Sequence, residues 1–321
     1  MMTGLGLLVV VVGEVALHSP AGGATYYVNG PDGRAADTNP GTEEAPWKTI
    51  ARAGKASELK AGDTVLIGSG VYRESVDITV SGEPGNPITF AAAPGARVVL
   101  KGSEMVNGGD WTRVSDAPGV TEPFPNAFKR VWRIKLGEEF FSDPRCPEAY
   151  VDKARRHLSQ VFVSDRQPLQ LIGPSPLFAE LGLEVLEPIG KGLADMLDNS
   201  FLFDPGGQTL YVKMGGEPSW FWIEVGVRAF VLTVSKVHDV VIRGLECRHN
   251  RQVAGMWPMC AVSECQRVVV EDCKFEFADF CGLSLGSSKD CVVRRCDMPW
   301  NGDTGLRGEV AFAPFSSSVH R

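Results

Sequence analysis

The chain has 321 residues, of which 44% are hydrophobic and 22% charged, and its formal net charge is −7. That acidic balance, with no basic tract, excludes the electrostatic footprint of a nucleic-acid binder and gives no long-range pull on polyanions. Thirty-six glycines and 21 prolines mark a turn-rich chain, long enough for one extended domain or two short ones.

In chain order, residues 1–24 read as an export signal: a short apolar run at 5–12, then Ser19-Pro20 and small residues ending at Ala24. The run is too short to span a bilayer, and no Lys or Arg precedes it. A secreted or periplasmic protein without a transmembrane helix is the expectation. Residues 26–28, 64–67, 75–80, 88–91 and 98–100 read as strands, and 32–42 as a loop of turn formers. Residues 46–59 read as a short helix, with Pro near its start and Trp47, Ile50, Ala51 and Leu59 on its apolar side. Val65 precedes Thr89, and Val76 precedes Val98, by low-twenties spacings that predict two turns of a solenoid of parallel strands. The helix is placed to cover the open end of that solenoid, where unpaired strand edges would otherwise meet water.

Residues 105–222 break the repeat. They carry Trp111, Trp132, Trp220 and Trp222, a strand pair at 160–171, helical stretches at 147–158 and 176–199, and a hairpin at 201–214 turning at Gly206-Gly207. This reads as an inserted antiparallel subdomain.

The repeat then returns in its clearest form. DVVIRGLECRHN from Asp239, RVVVEDCKFEFAD from Arg267 and DCVVRRCDMPWNGD from Asp290 superimpose, with Ile242, Val270 and Val293 at offsets of 28 and 23. Stacked, they give inward columns Val240/Val268/Cys291, Ile242/Val270/Val293, Leu245/Cys273/Cys296 and Cys247/Phe275/Met298, with a bend near Gly244. The outward columns alternate in sign, Arg243/Glu271/Arg294 and Glu246/Lys274/Asp297, as exposed cross-strand ion pairs would. Seven of the eight cysteines lie between Cys247 and Cys296. Most fall in inward columns, so a stack of buried thiols is expected; a bridge between Cys273 and Cys296 is sterically open.

The DTNPGT loop, the PWKTIARA helix, and the AGDTVLIGSGVYRE and NPITFAAAPGARVVLKG segments resemble the opening of right-handed parallel β-helix proteins. These include polysaccharide lyases (family-nine pectate lyases, the chondroitinase B and alginate lyase group) and related glycoside hydrolases. The resemblance implies an all-β fold: a right-handed parallel β-helix with an N-terminal capping helix and an inserted antiparallel subdomain. The divisions are a signal peptide (1–24), cap and first turns (25–104), insert (105–222), further turns (223–308) and an irregular tail (309–321) that reads as truncated. It further implies an exported carbohydrate-active enzyme, or its N-terminal part, acting on acidic or plant-type polysaccharide by elimination or hydrolysis. The competing expectation is a non-catalytic glycan-binding or surface protein, or an inactive fragment; a monomer is expected in each case. In lyases of this fold a calcium ion held by carboxylates masks the uronate and a Lys or Arg takes the proton, whereas hydrolases use two carboxyls. No residue here matches a catalytic motif of that family. Asp279 and Asp303, just before the same strand in adjacent rows, are the candidates for an acid–base pair or a calcium site. Arg248, Arg251 and Trp257 are the candidate substrate contacts. His249, in one column with Phe277 and Trp300, reads as packing, and Lys289 is a remote candidate base.

Overall fold

The computed structural model describes residues 22–106, 111–114, 131–143, 157–173, 189–252, 257–302 and 304–308. Short runs rich in Val, Ile and Leu, with inward and outward side chains alternating, form three parallel sheets wound into a right-handed β-helix. The first sheet stacks Thr25–Val28, Thr64–Ile67, Ile88–Ala92, His238–Arg243, Gln266–Glu271 and Val292–Arg294. The second stacks Gly70–Tyr72, Val98–Lys101, Leu245–Arg248 and Lys274–Glu276. The third stacks Val76–Ile78, Leu232–Ser235, Pro258–Ser263, Cys281–Gly286 and Thr304–Gly308. Each turn visits the sheets in that order.

The expected columns are present. Val240 pairs with Val268, Ile242 with Val270, Val270 with Val293, and Cys247 with Phe275. Val240, Ile242 and Cys247 are wholly buried, and Cys260, Cys265, Cys273 and Cys281 join them as buried thiols. Gly244 takes a positive φ of 73°, and the corresponding corner in the next rows is held by Asp272 and Arg295 at 55° and 51°. A left-handed corner thus recurs in these three rows, whether or not glycine occupies it.

Two readings are corrected by the pairing. Val65 stacks on Phe90 rather than Thr89. Val76 does not stack on Val98: Val98 pairs with Gly70 and Leu245 in the second sheet, while Val76 pairs with Leu232 in the third. The reason is where the insert leaves. The chain departs at the corner after Val98–Lys101, and rejoins the same turn only at Leu232–Ser235. Between these points lie two mainly antiparallel sheets. One contains Gln167–Pro168, Val161–Val163, Ile223–Gly226 and Ser103–Val106; the other contains Gln170–Leu171, Ser200–Asp204, Thr209–Lys213, Val131–Lys135 and Thr112–Arg113. The 200–213 hairpin is as read from sequence. The helical stretch expected at 147–158 falls almost wholly outside the described residues, as does 176–188.

The capping helix is shorter than its sequence pattern, Ile50–Gly54. Its start is fixed by Thr49 Oγ1, which accepts from Arg52 N at 3.1 Å, and by the Glu74 carboxylate, which accepts from Ile50 N and Ala51 N at 3.0 and 2.9 Å. It stops where it meets the third sheet: a Cβ on Gly54 would lie 2.3 Å from the Asp77 carbonyl oxygen. Trp47, Ile50, Ala53 and Ala56 are fully buried and seal the first turn.

The outward charge columns are tighter than exposed pairs. Glu271 accepts from Arg243 Nε at 2.6 Å and from Arg294 Nε at 2.7 Å, with Arg295 also on its carboxylate, and Glu271 is only 2% exposed. Burial works to raise its pKa, but the Arg294 and Arg243 guanidinium groups hold it below the usual carboxylate value. Register is therefore set by a buried carboxylate clamped between rows, as well as by the apolar columns.

Shortening one apolar column tests the stacking. Ile242→Ala removes a fully buried side chain and is expected to cost about 2–5 kcal/mol. Val292→Ala, in the partly exposed last row, is expected to cost well under half as much, both read as urea-unfolding midpoints at unchanged m.

Candidate functional site

The insert returns to the solenoid at a buried knot of charge. Lys101 and Ser103 sit where the chain leaves the second sheet, and Arg248, His249 and Glu276 lie on the rows that follow. The insert contributes Glu224 and Asp165; Asp165 stands in a tight turn where Ser164 and Asp165 both have positive φ, 50° and 76°. Lys101 Nζ donates to Glu224 Oε1 and Oε2 at 2.8 and 3.0 Å and contacts the Asp165 carboxylate. Arg73 Nη1 and Ser103 Oγ donate to the same Glu224 Oε2 at 3.0 and 2.6 Å. Arg248 reaches Asp165, Glu246 and Glu276. Burial pushes the Glu224 carboxyl up, but hydrogen bonds from His249, Arg73 and Lys101 override it and hold the group far below the usual carboxylate range. For His249, burial dominates and lowers the imidazole pKa despite Glu224.

This knot corrects the proposed substrate contacts. Arg248 and Arg251 are both 0% exposed: the first neutralises buried carboxylates, and the second donates from Nη1 to the Phe140 carbonyl at 2.9 Å under the Phe141 ring. Neither presents its guanidinium to a ligand. Trp257 is half-buried and stacks on Phe230 at 5.4 Å, and it is not among the residues that line the groove beside the knot. Asp165, Glu224 and His249 bring ligand atoms within 4.8 Å of one another, a spacing that suits a divalent cation. Here the Lys101 ammonium lies against both carboxylates and supplies the positive charge itself.

Beside the knot, the solenoid and the insert enclose an open groove of about 760 Å³. One wall is the insert strand pair, with Phe162, Arg166 and Gln170; the other is the rows ending at Asp279 and Asn301, with Phe277 and Trp300. The aromatic residues form two parallel pairs that meet at an angle, with His249 and Phe277 inclined at 60°. Phe162 lies on His249 at 3.7 Å and 12°, and Phe277 lies parallel to Trp300 at 6.4 Å and 10°. His249, Phe277 and Trp300 occupy the same corner of successive rows, each at a positive φ of 57°, 60° and 63°. For bulky residues that conformation is strained; Phe277 and Trp300 line the groove, while His249 is wholly buried beneath Phe162. Trp300 is 73% exposed.

Asp279 stands at the floor. Its Oδ2 accepts from Gln252 N at 3.0 Å, Ser159 hydrogen-bonds the same carboxyl, and its own N–H donates to Asn250 Oδ1 at 2.7 Å. Burial raises its pKa above the ordinary aspartate value, with Ser159 and the Gln252 N–H opposing less strongly. A raised pKa keeps the proton on the carboxyl to higher pH, and the protonated form is a poor ligand for calcium, which needs several ionised or carbonyl oxygens. Asp303, its expected partner, lies outside the described residues. Among the described groove residues Asp279 is the one carboxyl, fewer oxygen ligands of that kind than a calcium ion takes. Lys289 bridges to Gln266 at the edge of the first sheet and does not line the groove. Arg166 and Phe162 were missed in the sequence because no periodicity places the insert; the His249/Phe277/Trp300 register was the available signal.

No protein-family model matches the chain. Over 101 residues, 32% of this chain, it is 36% identical to the Bacillus subtilis (strain 168) uncharacterized protein YwoF, and the match spans 20% of that relative. A solved glycoside hydrolase superposes with a TM-score of 0.61 at 12% identity, covering 91% of this chain and 68% of that one. XylC in complex with xylose gives a TM-score of 0.48 at 15% identity, covering 88% of this chain and 60% of that one. The first superposition shows a shared β-helix fold. No helix among the described residues is long and apolar enough to cross a membrane.

Removing Lys101 takes a cation from two carboxylates at once, leaving Glu224 with Arg73 and Ser103 and Asp165 with Arg248. Lys101→Ala is expected to destabilise the protein by about 3–5 kcal/mol, whereas Lys101→Arg keeps the charge and loses less, both read by denaturant melts. Glu224 and Asp165 both have folded pKa values below their unfolded ones. Their stabilisation is therefore full above the unfolded carboxylate pKa of about 4 and is lost as pH falls toward the folded values. In Lys101→Ala that loss shrinks, and a melt series from neutral pH to pH 3 reads the difference.

Proposed function

We propose that this chain binds a polysaccharide in the groove between insert and solenoid and cleaves a glycosidic bond with Asp279 as the proton donor. The observation that carries the reading is a single carboxyl with raised pKa opening onto an aromatic-walled groove. An indole face and the C–H face of a sugar ring are both apolar and flat, so Trp300 is suited to stack on a pyranose. A general acid must hold its proton near the working pH, and burial of Asp279 does that. Hydrolysis also needs a second carboxyl on the other side of the bond; the sequence offers Asp303, which directly follows Gly302 of the groove.

Elimination is less well supported. It needs a basic group free to take a proton, and the one Arg lining the described groove, Arg166, donates to Glu276 Oε1 at 3.0 Å. The glycoside hydrolase that shares the fold agrees with the hydrolytic reading, although fold alone does not decide chemistry. A second reading is favoured by the presence of one carboxyl among the described groove residues: a glycan-binding protein without catalysis.

Incubation with xylan, pectate, alginate and chondroitin sulfate, followed by reducing-end and unsaturated-product assays, separates these outcomes. New reducing ends without unsaturated product support hydrolysis; unsaturated product overturns it in favour of elimination; binding without either leaves the second reading. Asp279→Asn is expected to lower turnover by about 10²–10⁴-fold while leaving binding intact. Wild-type activity is expected to fall as pH rises through the raised Asp279 pKa, because the acid form is the active one. Trp300→Ala is expected to weaken binding by about tenfold, the cost of one stacked aromatic contact.

A further inference from the structure

Of the large aromatic side chains among the described residues that stand well exposed, one is Trp300 and the others are consecutive: Trp220 at 72%, Phe221 at 37% and Trp222 at 69%. Trp220 ends the short turn Pro218–Trp220, which begins at buried Pro218, and Phe221 and Trp222 follow it. A Cβ on Gly216 would meet the Phe221 ring at 3.0 Å and the Trp220 ring at 3.3 Å, so both rings rest against the Gly216 backbone and are held in place without being covered. Exposing such a patch to water is unfavourable and marks a binding surface.

Its position says which one. The Trp222 carbonyl accepts from Ser164 N at 2.8 Å, which sets Trp222 beside the Ser164–Asp165 turn. Arg166 is the next residue and lines the groove. One strand spacing plus two residues of chain keeps Trp222 within about 13 Å of Arg166, Cα to Cα. The patch therefore lies near the part of the groove that Arg166 lines. We propose that Trp220, Phe221 and Trp222 form an outer platform for the same polysaccharide chain, so that the protein holds an extended glycan rather than a short terminus. This rests on the groove reading above.

Other occupants fit less well. Side chains of this size offer roughly 150–250 Å² each, and at these exposures the patch totals on the order of 400 Å², about half of what each partner buries in a stable protein interface. The segment 215–222, GGEPSWFW, carries one acid and no Lys or Arg, the opposite of the basic rim that draws aromatic patches to anionic membranes. Sugar rings need only flat apolar faces and a polar surround, which this segment has.

The test titrates wild type, the double variant Trp220→Ala/Trp222→Ala, and Trp300→Ala with xylohexaose and hexagalacturonate and with the corresponding disaccharides, by calorimetry. Circular dichroism confirms folding, and light scattering gives the mass in solution. The double variant is expected to bind the hexasaccharide about tenfold more weakly and the disaccharide like wild type; Trp300→Ala is expected to lose affinity for both. Hexasaccharide binding unchanged in the double variant, or equal loss on both lengths, overturns the platform while leaving the groove intact. A wild-type dimer that becomes a monomer in the double variant overturns it as well, in favour of self-association. Wild type binding none of the four sugars brings down the groove reading and this one together.

Discussion

The contact between Lys101 and Glu224 is the point on which the rest of the architecture turns. It joins the solenoid, which repetition alone would build, to an insert that no repetition places. Two buried ions are costly to desolvate, and the cost is offset only where every lone pair finds a donor. Glu224 meets that condition with donors from Lys101, Arg73 and Ser103, and Arg248 spreads its charge over three acids. Such a knot tolerates few alternative docking angles. The groove wall carrying Phe162 and Arg166 is thereby fixed against the wall carrying Phe277, Asp279 and Trp300.

Inside the solenoid, parallel pairing makes each corner repeat, and the repeated corners carry the chemistry. The left-handed positions at His249, Phe277 and Trp300 superimpose three rings. The innermost is covered by Phe162 and the outermost is left open. Immediately after the same corner, Asn250 and Asn301 tie neighbouring rows through Asp279 N and Ala278 N, which holds Asp279 at the groove floor. Conformational strain at bulky left-handed residues is thus accompanied by stacking on one side and an asparagine bracket on the other.

The columns around Ile242 were legible because period-two alternation and a repeated corner leave a pattern that survives in a single sequence. The aromatic column was legible for the same reason. Arg248 and Arg251 were misplaced because sequence periodicity gives the direction of a side chain relative to its own sheet. It gives no account of a separate element that covers that direction. Once the insert packs there, an outward Arg becomes a buried one. The Val76–Val98 register failed for a related reason: the third-sheet partner of Val76 lies beyond the insert, where no local spacing can point.

That interruption has a consequence for how the protein is made. Chains emerge from the ribosome N-terminus first, so Val76–Ile78 is synthesised long before Leu232–Ser235, the strand that completes its ladder. In the interval one flank of the nascent strand rests on the capping helix and the other is an unpaired edge, open to any extended segment nearby. Closing so long an excursion is thermodynamically mild, since each doubling of loop length adds only about 0.6 kcal/mol, but contacts so distant in sequence slow the search. The insert brings its own ends together, pairing Ser103–Val106 with Ile223–Gly226. Its separate hydrophobic cluster around Phe201, Leu210, Val212 and Val225 backs that pairing, and the solenoid resumes winding on the frame it provides.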